Sequence, residues 1–284
     1  MWLRRPTLIS NSKKEMEGLW LLAILVLVSV VSIFKIKKLL IRPAEIINPL
    51  SQVQPPTMAP VLTVIPTLIE KKQINKILIV GDSMIVEGFG PRLENDLSVY
   101  SDLEVKRRGK YSTGLNRRDV FDWNKYSLEL IEEFKPEVLV VMFGANDSQN
   151  ILDNQNQPYR VSDPEWDGIY TQRVAEYMAL INQKVEKIYW VGQPVAREAV
   201  FSGRLKHLDE IYEREAQKWS NIEFIPTWER FTTAEGKYQA VVADDGGLRQ
   251  RVKTDDGIHL TYHGSKIMSQ LVVGVLKQDF ELEY

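Results

Sequence analysis

Two aspartates and two histidines lie close together near the end of the chain, in the segment TDDGIHLTYHG at residues 254–264. The chain has only three histidines in 284 residues, so this grouping points to a chemical role. His259 can take a proton through one ring nitrogen, and Asp256 can accept a hydrogen bond from the other and fix the tautomer. Asp255 is less well spaced, at four residues from His259 rather than three. The segment therefore predicts a general base that needs a nucleophile.

A serine far upstream supplies the candidate nucleophile. The apolar run KILIV at residues 76–80 is typical of a buried parallel strand, and Gly81-Asp82-Ser83 follows it. A serine at a strand-to-helix turn is surrounded by the free N–H groups of the helix start, so Ser83 could attack a carbonyl carbon. Taken alone, the same three residues also fit an ordinary helix N-cap.

Two further loops offer hydrogen-bond donors for an oxyanion. Gly114 ends the stretch STG, and Asn146 lies in the stretch GAND. A glycine lets a backbone N–H approach a substrate closely, and the Asn146 amide adds a donor to the N–H of Ser83, which predicts a three-donor oxyanion hole. In isolation Gly114 and Asn146 are also common turn residues. We expect Asp147 to stiffen the loop that presents Asn146.

Alternating strands and helices must position these loops. Apolar runs predict strands at 76–80, 137–143, 187–192 and 222–226, and we expect a further strand near 103–107. Helical segments are predicted at 84–97, 127–134, 166–185, 204–219 and 262–277. This alternation indicates a parallel sheet with helices on both faces. Polar sites in such sheets lie outside the carboxyl ends of the strands, so we expect the loops to converge at that edge.

The blocks GDS, STG, GAND and DGIH, in this order from about residue 76 to 277, resemble the SGNH (GDSL) hydrolase family. The resemblance implies a three-layer α/β/α, flavodoxin-like fold and serine ester hydrolysis or acyl transfer. It also implies that Ser83, Gly114, Asn146 and His259 are the name-giving residues and that Asp256 completes the triad. The wider stretches, such as GDSMIVEGFGPRL and VVMFGANDSQ, resemble a bacterial branch of the family that has an N-terminal membrane segment.

A metal site is the competing interpretation of the histidine segment. Asp256, His259 and His263 have ligand-like spacing. A metal there would leave the GDS and GAND blocks without a purpose, so we expect neither a metal nor another cofactor.

Candidate substrate-binding residues follow the second and fourth predicted strands. Arginine and tryptophan side chains together suit a sugar or an anionic headgroup, through hydrogen bonds and ring stacking, although solvated charges at a helix start fit equally well. The candidates are Arg117, Arg118, Trp123 and Gln193. Residues 241–255 would be either a mobile flap over the site or a simple connection.

The first seventy-two residues have a different composition. The uncharged run LWLLAILVLVSVVSIF at residues 19–34 would span about 24 Å as a helix, and the lysines that follow can extend it to the interface. We predict a basic segment at 1–18, an uncleaved transmembrane anchor at 19–41, a Pro-rich linker at 42–72 and an SGNH-like domain at 73–284. Flanking charges do not fix the orientation; we expect a single-pass protein of a bacterial inner membrane with a periplasmic domain.

Composition narrows the function classes. A net charge of −2 gives no reason to expect nucleic acid, and the absence of cysteine excludes disulfides and thiolate chemistry. We expect a membrane-anchored serine esterase that removes O-acetyl or similar acyl groups from a cell-envelope glycan. The alternatives are an O-acetyltransferase with the same triad and a non-catalytic glycan-binding or assembly module on this fold.

Overall fold

A computed structural model describes residues 71–283 of the chain. The predicted basic segment, the predicted anchor and nearly all of the predicted linker lie outside the described residues. Within residues 71–283, no helix has the length and apolar character needed to cross a bilayer.

The described residues form eleven strands and six α-helices. The strands are β1 Lys72–Gln73, β2 Lys76–Gly81, β3 Glu104–Gly109, β4 Val138–Met142, β5 Ile151–Leu152, β6 Pro158–Tyr159, β7 Lys187–Val191, β8 Ile222–Ile225, β9 Val241–Ala243, β10 Arg249–Arg251 and β11 Phe280–Glu281. The helices are α1 Ser83–Val86, α2 Phe89–Leu97, α3 Trp123–Phe134, α4 Pro164–Asn182, α5 Ala199–Ala216 and α6 Tyr262–Asp279, and a 3₁₀ turn covers Trp228–Phe231.

The central sheet has five parallel strands in the order β3-β2-β4-β7-β8, which confirms the predicted parallel sheet. β3 lies on one side of β2 in the sheet, and β4 lies on the other side of β2, so the strand order reverses there. This reversal opens a crevice between the carboxyl ends of β2 and β4, where ligands bind in open α/β sheets. Ser83 follows β2 and Asn146 follows β4, so both lie at this crevice.

Apolar residues on both faces of the strands create two hydrophobic cores. Leu78 and Val80 of β2 pack on the side that α3, α4 and α5 cover. Ile77 and Ile79 of the same strand pack on the opposite side, against α1, α2 and α6. Successive side chains of a strand point to opposite faces, so an almost continuous apolar run is what a sheet covered on both faces requires.

One predicted helix is divided in the structure. The segment predicted as a single helix over 84–97 forms α1 and α2, which separate at Gly88 with a φ of 65°. A Cβ atom at Gly88 would lie 3.2 Å from the carbonyl oxygen of Leu260, in the loop before α6. The break therefore lets the chain turn and approach the loop that carries His259.

Residues 241–255 contain a hairpin formed by the antiparallel strands β9 and β10. The Asp244 carboxylate holds the turn by accepting hydrogen bonds from two of its backbone N–H groups. Lys266 of α6 pairs with Asp244 at 2.6 Å, and His263 of α6 is hydrogen-bonded to the Val242 carbonyl at 3.0 Å. The segment is therefore a folded connection that packs along α6.

Candidate active site

The structure brings Ser83, His259 and Asp256 into one chain of hydrogen bonds. Nε2 of His259 lies 2.9 Å from Oγ of Ser83, although 176 positions separate the two residues in sequence. Nδ1 of His259 lies 2.6 Å from Oδ2 of Asp256. This is the order in which a nucleophile, a base and an orienting carboxylate must be connected.

The turn that presents Ser83 is built by its two neighbours. A Cβ atom at Gly81 would lie 2.0 Å from the Met142 carbonyl oxygen, so the close approach of β2 to β4 requires a glycine there. Asp82 caps α1 by accepting a hydrogen bond from the Met84 N–H at 3.0 Å. Ser83 is then the first residue of α1, and its backbone N–H has no intrahelical partner. That N–H is available to a substrate oxygen.

Asp256 is held in its ionised form. One carboxylate oxygen accepts hydrogen bonds from the Thr254 hydroxyl at 2.7 Å and from the backbone N–H groups of Ile258 and His259 at 2.8 and 3.0 Å. Partial burial acts to raise the pKa of Asp256, but the bond from His259 and these three bonds outweigh it and hold the pKa well below its usual range. An ionised Asp256 accepts from Nδ1–H of His259 and leaves Nε2 free to accept the serine proton.

Two basic residues hold the loop that carries this pair. Nζ of Lys253 is buried beneath the loop and donates to the Ile258 carbonyl at 2.7 Å; burial lowers the pKa of this amine to about 7. Arg197 lies on the outer side, where its backbone N–H and its guanidinium donate to the carbonyls of Gly257 and Thr254, each at 3.0 Å. The sequence did not predict either role, because no motif marks these residues and their partners are distant backbone carbonyls.

Asp147 joins the loops that follow β3 and β4. Its buried carboxylate accepts hydrogen bonds from the Asn116 N–H and the Tyr170 hydroxyl, both at 2.8 Å, and burial raises its pKa. A Cβ atom at Gly114 would lie 2.1 Å from Oδ1 of Asp147. The missing side chain of Gly114 thus makes room for this carboxylate, in addition to any approach it allows to a substrate.

Asn146 lies beside the loop that contains Gly114. Its amide nitrogen donates one hydrogen to the Thr113 carbonyl at 3.1 Å, which orients the amide, and its second N–H has no partner among residues 71–283. The loop after β3 is in turn attached to the end of β2, because the Lys110 N–H donates to the Gly81 carbonyl at 3.0 Å. The structure therefore places the loops of Ser83, Gly114 and Asn146 next to one another at the carboxyl edge of the sheet.

Two of the predicted substrate-binding residues lie in the interior, and these predictions were wrong. Trp123 is 1% exposed and donates through Nε1 to the Thr113 hydroxyl at 3.0 Å. It starts α3 earlier than predicted, and its side chain packs into the core. Gln193 is also buried, and its amide donates to the Phe143 carbonyl at 2.7 Å. Both side chains position the loops of the site and cannot line a groove.

The two predicted arginines lie nearer the surface. Arg117 forms a two-bond pair with Asp119 at 2.8 and 2.7 Å, and Arg118 pairs with Glu176 of α4 at 2.7 Å. Their roles in substrate binding stay predictions.

His263 does not join the other residues of the proposed metal set. It is buried and hydrogen-bonded to the Val242 carbonyl, whereas His259 is bonded to Ser83 and Asp256. Within residues 71–283, no group of three or more histidine and acidic side chains is arranged to hold a metal ion.

Asp82 gives the site a pH-dependent effect on stability. Its carboxyl is fully buried, one of its oxygens has no hydrogen-bond partner among residues 71–283, and burial raises its pKa from 3.8 to about 7. Between about pH 4 and pH 7, the folded state therefore keeps this carboxyl protonated, whereas the unfolded state has already released the proton. The stabilising contribution is complete below about pH 4 and is lost as the pH rises through about 7.

We expect Asp82→Asn to remove this dependence, because asparagine keeps the capping oxygen and cannot ionise. At about pH 8 the variant should be more stable than the wild type by on the order of a few kcal/mol, and the difference should shrink towards about pH 4. Thermal unfolding of both proteins across this range measures it, with Asp102→Asn, at an exposed aspartate before β3, as the matched control. If the difference in stability between Asp82→Asn and the wild type were the same at every pH, the raised pKa of Asp82 would be contradicted.

The parallel sheet and the residues at its carboxyl edge define the class of protein. The chain has the architecture of the SGNH (GDSL) hydrolases, with Ser83, Gly114, Asn146 and His259 on the four expected loops, which confirms the resemblance found in the sequence. More specifically, the chain belongs to the family described as "Protein of unknown function (DUF459)", whose model matches residues 76–274.

Solved structures support the fold assignment. Axe2, an acetylxylan esterase from Geobacillus stearothermophilus, is 15% identical with a TM-score of 0.54, covering 76% of this chain and 99% of its own. LAE5, an α/β hydrolase enzyme from the metagenome of Lake Arreo in Spain, is 14% identical with a TM-score of 0.52, covering 72% and 96%. No curated protein matches the chain. At these identities the similarity establishes the fold.

Proposed function

We propose that this chain is a serine esterase that removes acetyl or similar short acyl groups from a cell-envelope glycan through an acyl-enzyme on Ser83. The observation that carries the proposal is the unbroken hydrogen-bond chain from Asp256 through His259 to Ser83, with distances of 2.6 and 2.9 Å. These are the distances at which a base can take the proton of a serine as it attacks.

The first half of the reaction forms the acyl-enzyme. Oγ of Ser83 attacks the ester carbonyl carbon while its proton passes to Nε2 of His259, and the Asp256 carboxylate stabilises the imidazolium. The carbonyl oxygen becomes an oxyanion that accepts hydrogen bonds from the N–H groups of Ser83 and Gly114 and from the Asn146 amide. The C–O bond to the alcohol then breaks, and His259 returns the proton to the leaving oxygen.

The second half releases the acid. A water molecule attacks the acyl carbon while His259 takes its proton, and the bond to Oγ breaks as Ser83 regains a hydrogen. The side chains of His259 and Asp256 are 28% and 44% exposed, so the base faces solvent directly. Transfer to a sugar hydroxyl needs an acceptor to outcompete water, and this open site favours hydrolysis over acetyl transfer.

Two observations support a glycan as the substrate. Axe2, which shares the fold, is described as an acetylxylan esterase, so this architecture accommodates a short acyl group on a polysaccharide. The sequence of residues 1–72 predicts an anchor and an extended linker, an arrangement suited to a large substrate near a membrane. We therefore include in the proposal a single-pass anchor at 19–41 and a periplasmic domain in a bacterial inner membrane.

Turnover of an activated ester tests the chemistry. The purified full-length chain is incubated with para-nitrophenyl acetate, with and without a xylooligosaccharide as acceptor, and free acetate and acetylated sugar are measured. We expect acetate in both cases. Accumulation of acetylated sugar alone would replace the esterase by a transferase, and no turnover of either kind would contradict catalysis.

Protease accessibility tests the location. In spheroplasts that hold the full-length chain, added protease should digest the domain from residue 73 onward without cell lysis. Digestion confined to lysed cells would place the domain in the cytoplasm and overturn the periplasmic assignment.

A further inference from the structure

Exposed aromatic side chains are rare in the part of the chain that the structure describes. Within residues 71–283, Tyr111 is 56% exposed and Tyr262 is 77% exposed, and the other aromatic side chains are buried or half-buried. Exposing a large ring to water forgoes the free energy of burying it, so exposed rings that cluster around a site point to a ligand. Tyr111 is linked to the turn of Ser83 through Glu87, and Tyr262 follows His259 by three positions.

Tyr111 stands next to the turn that carries Ser83. The preceding residue, Lys110, is hydrogen-bonded through its N–H to the Gly81 carbonyl at 3.0 Å. The Tyr111 hydroxyl donates to the Glu87 carboxylate at 3.3 Å, and the Glu87 N–H donates to the Ser83 carbonyl at 3.0 Å. Glu87 therefore links Tyr111 to Ser83 through two hydrogen bonds: its carboxylate accepts from the tyrosine, and its backbone N–H donates to the serine.

Tyr262 flanks the site on the other side. It is the first residue of α6 and follows His259 by three positions. The Arg92 guanidinium lies over its ring, 5.1 Å from the centroid, and Tyr262 is still 77% exposed. The corner at Glu87 and Gly88 lies between the two tyrosines, since Gly88 packs against the Leu260 carbonyl.

The loop that presents Tyr111 has a specific shape. Ser112 adopts a left-handed conformation with a φ of 57°, which is uncommon for a residue other than glycine. This turn sends Tyr111 outward and Thr113 inward, where the Thr113 hydroxyl accepts from Trp123. A strained residue that persists beside a reaction centre is a sign of a functional constraint on the loop.

We propose that Tyr111 and Tyr262 form a platform on which a neutral oligosaccharide chain lies across the Ser83–His259 site. The inference rests on the proposed esterase function and names its substrate class. Tyrosine offers a flat apolar face and a polar edge at low cost in conformational entropy, which suits the C–H faces of a sugar ring and its hydroxyl groups. The platform takes the substrate-binding role that the sequence pattern predicts for Trp123.

Charge favours a neutral glycan over an acidic one. Glu87 forms no ion pair within the described residues and can accept hydrogen bonds from sugar hydroxyls, whereas it repels a carboxylate. Arg92 is already paired with Asp96 at 2.8 Å, so its charge is largely compensated. Lys110, the exposed residue before Tyr111, lies over the Phe121 ring at 4.3 Å from its centroid and forms no ion pair with Glu87 within the described residues, so an anionic sugar would meet the Glu87 carboxylate at the corner between the two rings.

Direct binding is the first test. The affinity of the full-length chain for a neutral xylooligosaccharide and for an oligogalacturonate is measured by calorimetry, for the wild type, Tyr111→Ala, Tyr262→Ala and the remote control Val99→Ala. We expect each tyrosine variant to bind the neutral glycan about three- to tenfold more weakly, with Val99→Ala matching the wild type. Absence of binding, equal affinity in all variants or preference for the acidic glycan would overturn the platform.

Kinetics separate the platform from the chemistry. We expect the ratio of kcat/KM for an acetylated xylooligosaccharide to that for para-nitrophenyl acetate to fall about tenfold in Tyr111→Ala, mainly through KM, and Tyr111→Phe, which keeps the ring, to retain most of the ratio. A constant ratio in an active enzyme would refute the platform and leave the esterase standing. Failure of the wild type on both esters would refute the esterase, while the binding result would still decide the platform.

Discussion

Ser83→Ala should abolish ester turnover, lowering kcat for para-nitrophenyl acetate by about 10⁴- to 10⁶-fold. The variant has no oxygen to form the acyl-enzyme, although His259 and the oxyanion donors remain. Its fold should be intact, because Asp82 caps α1 and, among the described residues, the Ser83 side chain is hydrogen-bonded to His259 alone. Initial rates of the full-length variant and wild type, at matched concentrations and with equal thermal unfolding curves, measure the effect.

Ser98→Ala is the matched control for this prediction. Ser98 caps the end of α2, where its hydroxyl donates to the Glu94 carbonyl at 2.7 Å, and it is exposed. The change removes one serine hydroxyl without touching the site, and kcat should stay within about twofold of wild type. Residual turnover above about one tenth in Ser83→Ala would show that another group carries the reaction.

Asp256→Asn should lower kcat by about 10³- to 10⁴-fold while leaving KM nearly constant. The asparagine can present N–H to Nδ1 of His259, which favours the tautomer that carries its proton on Nε2. That tautomer cannot accept the Ser83 proton. The loss should persist across the working pH range, because the pKa of Asp256 in the wild type lies well below its usual value.

Asp255→Asn is an unusually close control, since it makes the same chemical change at the adjacent residue. Asp255 has a side chain that is 95% exposed, and within residues 71–283 it pairs with Arg251 alone, at 2.7 Å. Such a surface pair contributes little, so turnover should change by less than about threefold. Equal losses in the two variants would exclude Asp256 as the specific partner of His259.

Most of the sheet could be predicted from the sequence because its strands are buried on both faces. Runs such as KILIV and EVLVVMF are too short for helices and too apolar for loops, and each is followed by polar loop residues. Because the strands are parallel, the loops that come after them must meet at the carboxyl edge of the sheet. The pairing of Ser83 with His259 then depends only on the last loop returning to that edge.

The errors arise where a long-range contact decides the local structure. Gly88 ends α1 because the chain must pass close to Leu260, a constraint that nearby residues do not reveal. Trp123 was predicted to bind substrate because it follows the STG block in the sequence. The sequence does not show that its side chain lies on the buried face of α3. Tyr111 and Lys253 were missed for the same reason: exposure and burial of single side chains are tertiary properties.

The most direct measurement of the central claim, that His259 activates Ser83 as a nucleophile, is covalent labelling with a fluorophosphonate. The full-length wild type, Ser83→Ala and His259→Ala chains are treated with the reagent, digested and mapped by mass spectrometry. We expect one phosphonyl adduct on Ser83 in the wild type, none in Ser83→Ala, and labelling slowed by about 10³-fold or more in His259→Ala. An adduct on another residue, or wild-type labelling that is absent or independent of His259, would contradict the account.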